Sequence, residues 1–141
     1  MTKAHALEQQ LLEQIVTRDN LVRAWRRVKA NKGAAGADDV SVTDFPAWAR
    51  QHWPDIKTQL LAGDYQPDAV RRVWIPKPNG DKRPLGIPSV ADRVIQQAIA
   101  QVVSAQWEPH FHPHSYGFRP QRSAHQAIRE VQSCIRQGYD W

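Results

Sequence analysis

The 141-residue sequence predicts an α+β fold, mostly helical, with one small antiparallel β-hairpin. Three observations carry that expectation. Apolar residues recur at helical spacing through the first third and again in two later stretches. Two short runs, the first rich in Val and Ile, flank Pro78-Asn79-Gly80-Asp81, a strong turn signal because Asn-Gly tolerates the positive φ of tight hairpins. Eight of the ten prolines lie between Pro67 and Pro120, and they confine helix there to the gaps between them.

Taken in order, Leu7, Leu11, Leu12 and Ile15 form a first helical stripe. Thr17 is placed to cap a second helix, in which Leu21, Trp25 and Val28 run through the basic set Arg23, Arg26, Arg27 and Lys29. Gly33 is expected to end it in a left-handed cap, followed by a loop of small residues through Asp39. Thr43 is expected to cap a third helix bearing Phe45 and Trp48. Pro54 suits the first turn of a fourth, carrying Ile56 and Leu60 and ending at Gly63. Ala69 to Ile75 reads as a strand. Lys82 to Ile87 reads as its antiparallel partner at an edge, because Pro84 lacks a ladder donor. Ser89 with Asp92 resembles a capping box ahead of the stripe Ala91, Val94, Ile95, Ala98 and Val102. Ser123 with Gln126 is a regular capping box for a last helix that ends before Gly138. The expected organisation is a single domain over 1–141: helices and loop over 1–63, hairpin over 64–88, and a helical remainder over 89–141.

The composition, 41% apolar and 23% charged, is that of a globular chain. A domain of this size buries roughly 68–70% of its unfolded surface. No apolar run approaches the ~20 residues that span a bilayer, and the polar start does not read as a signal peptide, so no membrane partner is expected. The single cysteine, Cys134, excludes an intrachain disulfide and fits a reducing compartment, hence a cytoplasmic expectation; its side chain reads as a small core group. Residues 1–68 hold 9 basic and 9 acidic side chains, whereas 69–141 hold 10 and 5, so the whole +5 lies in the second half. Its densest part is the hairpin region, where Arg71, Arg72, Lys77, Lys82, Arg83 and Arg93 face only Asp81 and Asp92. Such a surface either attracts a polyanion by counterion release or is simply a solvated hairpin.

Strand alternation puts Arg71, Val73, Ile75 and Lys77 on one face, with Lys82 and Arg83 close by. Cations converging from two strands around an apolar strip suit a triphosphate beneath a nucleobase, since Arg grips oxygens in pairs. An exposed basic hairpin with no ligand fits the same pattern. His110, His112 and His114 alternate as metal ligands on a strand would, but Pro109 and Pro113 interrupt one, and incidental loop histidines are the plainer reading. Trp25, Trp48 and Trp107 lie on apolar stripes and read as core. Trp74, alternating with Arg72, is a candidate for stacking on a base. No Gly-x-Ser-x-Gly or oriented acid–base pair points to a nucleophile.

Three ordered blocks carry a family resemblance. Asn31-Lys32-Gly33-Ala34-Ala35-Gly36-Ala37-Asp38 resembles the opening block of group II intron-encoded reverse transcriptases. So do Arg72 to Pro88 with Asp92-Arg93-Val94-Ile95-Gln96-Gln97-Ala98, and His114-Ser-Tyr-Gly-Phe-Arg-Pro120 with Arg122-Ser-Ala-His-Gln-Ala127. One departure is Asp39, where the family commonly has glycine. The resemblance implies RNA-templated DNA synthesis by a right-hand polymerase, with this chain as its N-terminal fingers. On that basis Lys77, Arg83 and Lys82 are the nucleotide-binding candidates. Arg71, Arg72, Ile87, Pro88, Arg119 and the loop residues Asn31, Lys32 and Gly33 are the candidates for template contact.

The resemblance also implies two divalent metals, Mg²⁺, held by palm carboxylates. The sequence shows neither the aspartate block nor Tyr-x-Asp-Asp that would supply them, and it ends at Tyr139-Asp140-Trp141. Metal is therefore expected only with a palm, no cofactor with this chain, and no catalytic residue within it. The implied partners are template RNA, a DNA primer and a palm-bearing partner. Alternatives are a stand-alone RNA-binding module and an interaction domain that self-associates through an exposed apolar face.

Overall fold

The computed structural model describes residues 3–139, with side-chain environments from Gln9 onward. Leu7 of the first stripe lies outside the described side chains, and Asp140 and Trp141 lie outside the described residues. The elements run α1 (Lys3–Ile15), α2 (Arg18–Ala30), α3 (Phe45–Ala62), β1 (Arg71–Pro76), β2 (Lys82–Ile87), α4 (Val90–Trp107), a 3-10 turn (Glu108–His110) and α5 (Ala124–Arg136). The α+β expectation holds: helices dominate and the two strands form one antiparallel sheet. The chain forms two compact units, 1–102 and 103–141, and the boundary falls inside α4.

In the first unit the apolar stripes converge as their periodicity requires. Ile15, Val16, Ala24, Val28, Phe45, Val90, Ala91, Val94 and Ala98 form the buried cluster, with Leu21, Trp25, Trp48 and Trp53 packed against it. Trp25 and Trp48 flank Phe45, with ring centroids 4.9 and 5.8 Å from it. Asn20 is a polar side chain buried beside this cluster. Asn20 Nδ2 donates to the carbonyls of Ile15 and Ala98 at 2.9 and 3.0 Å, and its Oδ1 accepts from Gln101 at 2.7 Å. The end of α1 and the start of α2 are thereby tied to α4. A buried amide satisfied in this way avoids the desolvation penalty that an unpaired one carries.

Three local expectations change. The left-handed residue closing α2 is Lys32, φ 48°, rather than Gly33, because Asn31 still has helical backbone and its N–H reaches back to Arg27. Thr43 does not cap the third helix; α3 opens after Asp44, whose N–H is held by Ser41 Oγ at 3.2 Å. The third and fourth helices are one, with Pro54 inside α3. Proline there removes one backbone donor near mid-helix, and the packed faces on either side, Phe45 and Ile56, keep the helix continuous. Gly63, φ 78°, ends it in the expected left-handed cap.

The second unit centres on a loop and α5. Ser123 and Gln126 form the predicted reciprocal capping box, and Gly138 follows the helix at φ 86°. Trp107, expected in the core, is 59% exposed, since the buried stripe of α4 runs only from Val90 to Ala98. Cys134 is half-buried on α5 rather than in a core.

Candidate nucleic-acid interface

The hairpin pairs Arg71↔Ile87, Arg72↔Gly86, Val73↔Leu85, Trp74↔Pro84, Ile75↔Arg83 and Pro76↔Lys82. This register sorts the cations. Arg71, Val73, Ile75, Arg83, Leu85 and Ile87 share one face, while Arg72, Trp74, Lys82 and Pro84 share the other. Along β1 the first face is half-buried and the second exposed. Lys82, grouped by sequence with Arg83, thus stands on the opposite face from it.

The turn is built differently from a two-residue Asn-Gly hairpin. Gly80 N–H donates to Lys77 O at 3.0 Å, Lys77 N–H to Asp81 O at 2.6 Å, and only Gly80 has positive φ, 90°. This is a three-residue loop with a glycine bulge. Asn79 instead braces the turn, its Nδ2 reaching Asp81 Oδ2 at 2.8 Å. Counting back from the Lys77–Asp81 bond, Trp74↔Pro84 and Pro76↔Lys82 are non-hydrogen-bonded positions of the ladder. Neither proline therefore deprives the sheet of a donor. A strand rises about 3.4 Å per residue, so Arg71 and Lys77 lie about 20 Å apart along it. The cations mark two ends: Lys77, Lys82 and Arg83 near the turn, Arg71 and Arg72 at the base.

The base of the hairpin is where the loop 31–39 arrives. Arg93 Nη2 donates to Ala34 O at 2.6 Å. Gly36 lies so close to the start of α4 that a Cβ there would sit 2.6 Å from Ser89 Cα and 2.7 Å from its nitrogen, a backbone contact only glycine permits. Asp39, at φ 57°, forms an ion pair with Arg71. Left-handed backbone is what a glycine would adopt freely, and aspartate is one of the few other residues that tolerates it. Arg71, Ile87, Pro88, Ser89 and the loop are thus gathered at one edge. Asn31 and Lys32 are exposed at its start, and Gly33 packs beside Arg93.

A buried carboxylate, not singled out by sequence beyond its capping role, orders this edge. Asp92 is 3% exposed. Its Oδ2 accepts from Ser89 Oγ at 2.8 Å and from Asp68 N–H at 3.1 Å, and its Oδ1 accepts from Tyr65 Oη at 2.8 Å. The α4 N-terminus favours its charge. Burial, with Asp92 as hydrogen-bond partner and the nearby charges of Asp92 and Asp68, pushes the Tyr65 hydroxyl well above its ordinary range. The segment entering β1 is thereby pinned to the helix that follows β2. The signal was readable only in part: Ser89 and Asp92 have capping spacing, but Tyr65 lies 27 residues from Asp92.

In the second unit Arg119 is committed to the protein. Its Nε and Nη2 meet Glu108 Oε1 at 3.0 and 2.8 Å, Nη1 donates to the carbonyls of His112 and Ser115 at 2.9 Å each, and Nη2 also reaches Glu108 O at 3.3 Å. Its side chain is 9% exposed, and the guanidinium lies 5.2 Å from the Phe111 ring centroid. The arginine of the Ser-Tyr-Gly-Phe-Arg-Pro block organises the loop, and the structure leaves none of its donors free for a phosphate. His112 Nδ1 accepts from His114 N–H at 3.2 Å, and His114 Nε2 faces Glu130 at 3.3 Å. Among the described residues no group of three or more His, Cys, Asp and Glu is placed to hold a metal. The described donor set does not fit the two-metal centre of nucleotidyl transfer.

Residues 75–141 match the family model described as reverse transcriptase (RNA-dependent DNA polymerase). The chain is 45% identical over 125 residues to Protein YkfC of Escherichia coli (strain K12), covering 87% of this chain and 33% of that one. It is 39% identical over 111 residues to the group II intron-encoded protein LtrA of Lactococcus lactis subsp. cremoris, covering 77% and 18%. It is also 31% identical over 117 residues to an uncharacterized 91 kDa protein in the cob intron of Schizosaccharomyces pombe, covering 83% and 14%. The chain therefore spans about a third or less of the length of these relatives. On these matches the chain belongs to the reverse transcriptase family of the group II intron-encoded type.

Proposed function

We propose that this chain supplies finger-type contacts to template RNA and to the incoming nucleotide in RNA-templated DNA synthesis, and that it is not catalytic by itself. The observation that supports this reading is the two-ended hairpin. The template-side candidates Arg71, Ile87 and Pro88 meet the loop 31–39 at the base, while Lys77 and Arg83 lie toward the turn. A single strand laid along the base and a triphosphate near the turn would then be separated by the length of one short strand. Arg119 enters this reading as a positioning residue of its loop rather than as a ligand contact.

The test is binding of a labelled single-stranded RNA at about 50 mM salt, repeated across a salt series. The expected result is affinity that falls steeply with salt and weakens in Arg71→Ala. Weaker binding of a nucleoside triphosphate in the Lys77→Ala, Arg83→Ala double variant reports the other end. RNA affinity that is absent, or indifferent to salt, would overturn the reading. With Mg²⁺ and a primed template the 141-residue chain is expected to give no extension, because the described residues provide no seat for paired metals.

A stand-alone RNA-binding module is the second reading, favoured by Trp74. It is 58% exposed on the face that carries Arg72 and Lys82, a stacking surface flanked by cations. Loss of RNA affinity in Trp74→Ala with nucleotide binding unchanged would favour that reading over the first.

A further inference from the structure

We propose that Asp39 is an internal competitor for the RNA phosphate at Arg71, so that this chain holds its own template-side cation occupied until a nucleic-acid backbone displaces the carboxylate. The proposal rests on the RNA-contact reading above and deepens it at one residue.

Arg71 opens β1 opposite Ile87, and its side chain is 39% exposed. Its planar fork binds carboxylate and phosphate oxygens with the same geometry. In this chain the anion on that fork is Asp39, whose Oδ1 meets Arg71 Nη2. Two further contacts keep the carboxylate there. Arg93 holds the Ala34 carbonyl, and Gly36 lies against the Ser89 backbone, so the loop is fastened to the start of α4 as well as to the hairpin. The neighbouring Asp38 is used differently: its Oδ1 accepts the Val40 N–H at 3.4 Å within the loop. The two adjacent carboxylates are thus distinguishable by position, one on the candidate RNA contact and one away from it.

The ion pair is open to solvent, with the Asp39 side chain 81% exposed, so a phosphate reaches it without unfolding the loop. An exposed pair of this kind is weak and competes poorly against a polyanion. Displacement also changes the salt response. A phosphate gripped by a free arginine releases condensed counterions, whereas here the freed Asp39 carboxylate takes up cation in exchange, so the net release is smaller.

The experiment compares wild type, Asp39→Asn, Asp38→Asn, Arg71→Ala and the Asp39→Asn, Arg71→Ala double variant for binding of one labelled single-stranded oligoribonucleotide across a salt series. Asparagine is chosen because it keeps left-handed tolerance while removing the charge, and equal melting temperatures establish that folding is unchanged. Asp39→Asn is expected to tighten binding about two- to five-fold at low salt and to steepen the salt slope by up to about 0.7. Asp38→Asn, which removes the same net charge, is expected to give a clearly smaller change. In the Arg71→Ala background the gain from Asp39→Asn is expected to vanish. Equal gains in Asp38→Asn and Asp39→Asn, or a gain that survives Arg71→Ala, would reduce the effect to net charge and overturn the proposal while leaving RNA contact intact. No salt-dependent binding by any of the five proteins would overturn both the proposal and the reading beneath it.

Discussion

Asp92 carries a charge into an environment that is 97% closed to solvent, and it does so by accepting hydrogen bonds from Ser89, Asp68 and Tyr65. Asparagine offers one acceptor oxygen and turns an amine toward donors, so Asp92→Asn strands at least one buried donor. The expected loss is about 1–3 kcal/mol of folding stability, read from urea unfolding. Tyr65 shares that network and gives a pH signature. The folded chain holds the Tyr65 proton more tightly than the unfolded chain does, whose tyrosine titrates near about 10. Its contribution to stability is therefore complete below that pH and is lost as pH rises toward the higher folded value. Stability measured as pH rises above about 10 is expected to fall less steeply in Tyr65→Phe than in wild type. An unchanged alkaline slope would show that Tyr65 does not contribute this linkage. Arg119 makes a third case, because lysine keeps its charge but not its fork. Arg119→Lys retains one contact to Glu108 and abandons the His112 and Ser115 carbonyls, so a loss of about 2 kcal/mol in the second unit is expected. Amide exchange across 108–123 measures it.

At the scale of the element, sequence was most informative where the physics is local. The side-chain cap at Ser89, the capping box at Ser123, the left-handed end at Gly63 and the hairpin itself follow from neighbours within a few residues. It was least informative where a distant surface decides. Pro54 looks like a helix start by itself, yet it sits within α3 because Phe45 and Ile56 are both buried and hold one axis. Gly33 looks like the end of α2, yet Lys32 takes the left-handed backbone, and Gly33 packs beside Arg93, sixty residues on. The candidate site divides the same way. Alternation along β1 was readable and put Arg71, Val73 and Ile75 on one face, but which of Lys82 and Arg83 joins that face is set by the register of β2 and so depends on the turn. That turn is testable. Gly80 alone supplies the positive φ, and a Cβ there meets nothing within 4 Å, so the cost of Gly80→Ala is purely conformational, about 1 kcal/mol. Asparagine at the same position is expected to recover part of it, since it adopts left-handed backbone more readily than alanine does. Thermal unfolding of the three proteins ranks them; equal stability of glycine and alanine would mean that the bulge is not kept.

Across the whole molecule, burial is unevenly distributed, and this has a kinetic consequence. Among the described residues every apolar side chain of the buried core lies between Ile15 and Ala98, and none from 103 to 139 is buried. The second unit rests instead on the Arg119 cluster, the capping box of α5 and the His114–Glu130 contact. Ile128, Val131 and Ile135 of α5 are 56, 59 and 63% exposed, so that helix has an apolar face with little packed on it. A short helix gains little stability from propensity and draws most of it from packing. Local opening free energy should therefore be high in α2 and α4 up to Ala98 and low in α5, since few buried contacts must break to open it. Native-state hydrogen exchange is expected to show slow amides at Ala24, Val28, Val94 and Ala98 and fast ones through Ile128 to Ile135. Limited trypsin digestion is expected to cut at Arg129 or Arg136 before any site within α2, although Arg23, Arg26, Arg27 and Lys29 make α2 the richer substrate by sequence. Addition of a binding partner that covers the α5 face would reverse that order by raising protection there alone. Uniform protection of α5 and α4 in the isolated chain at low concentration would instead mean that α5 is held as firmly as the core, against its exposure. Protection of α5 that appears only as concentration is raised would identify a second copy of the chain as the cover.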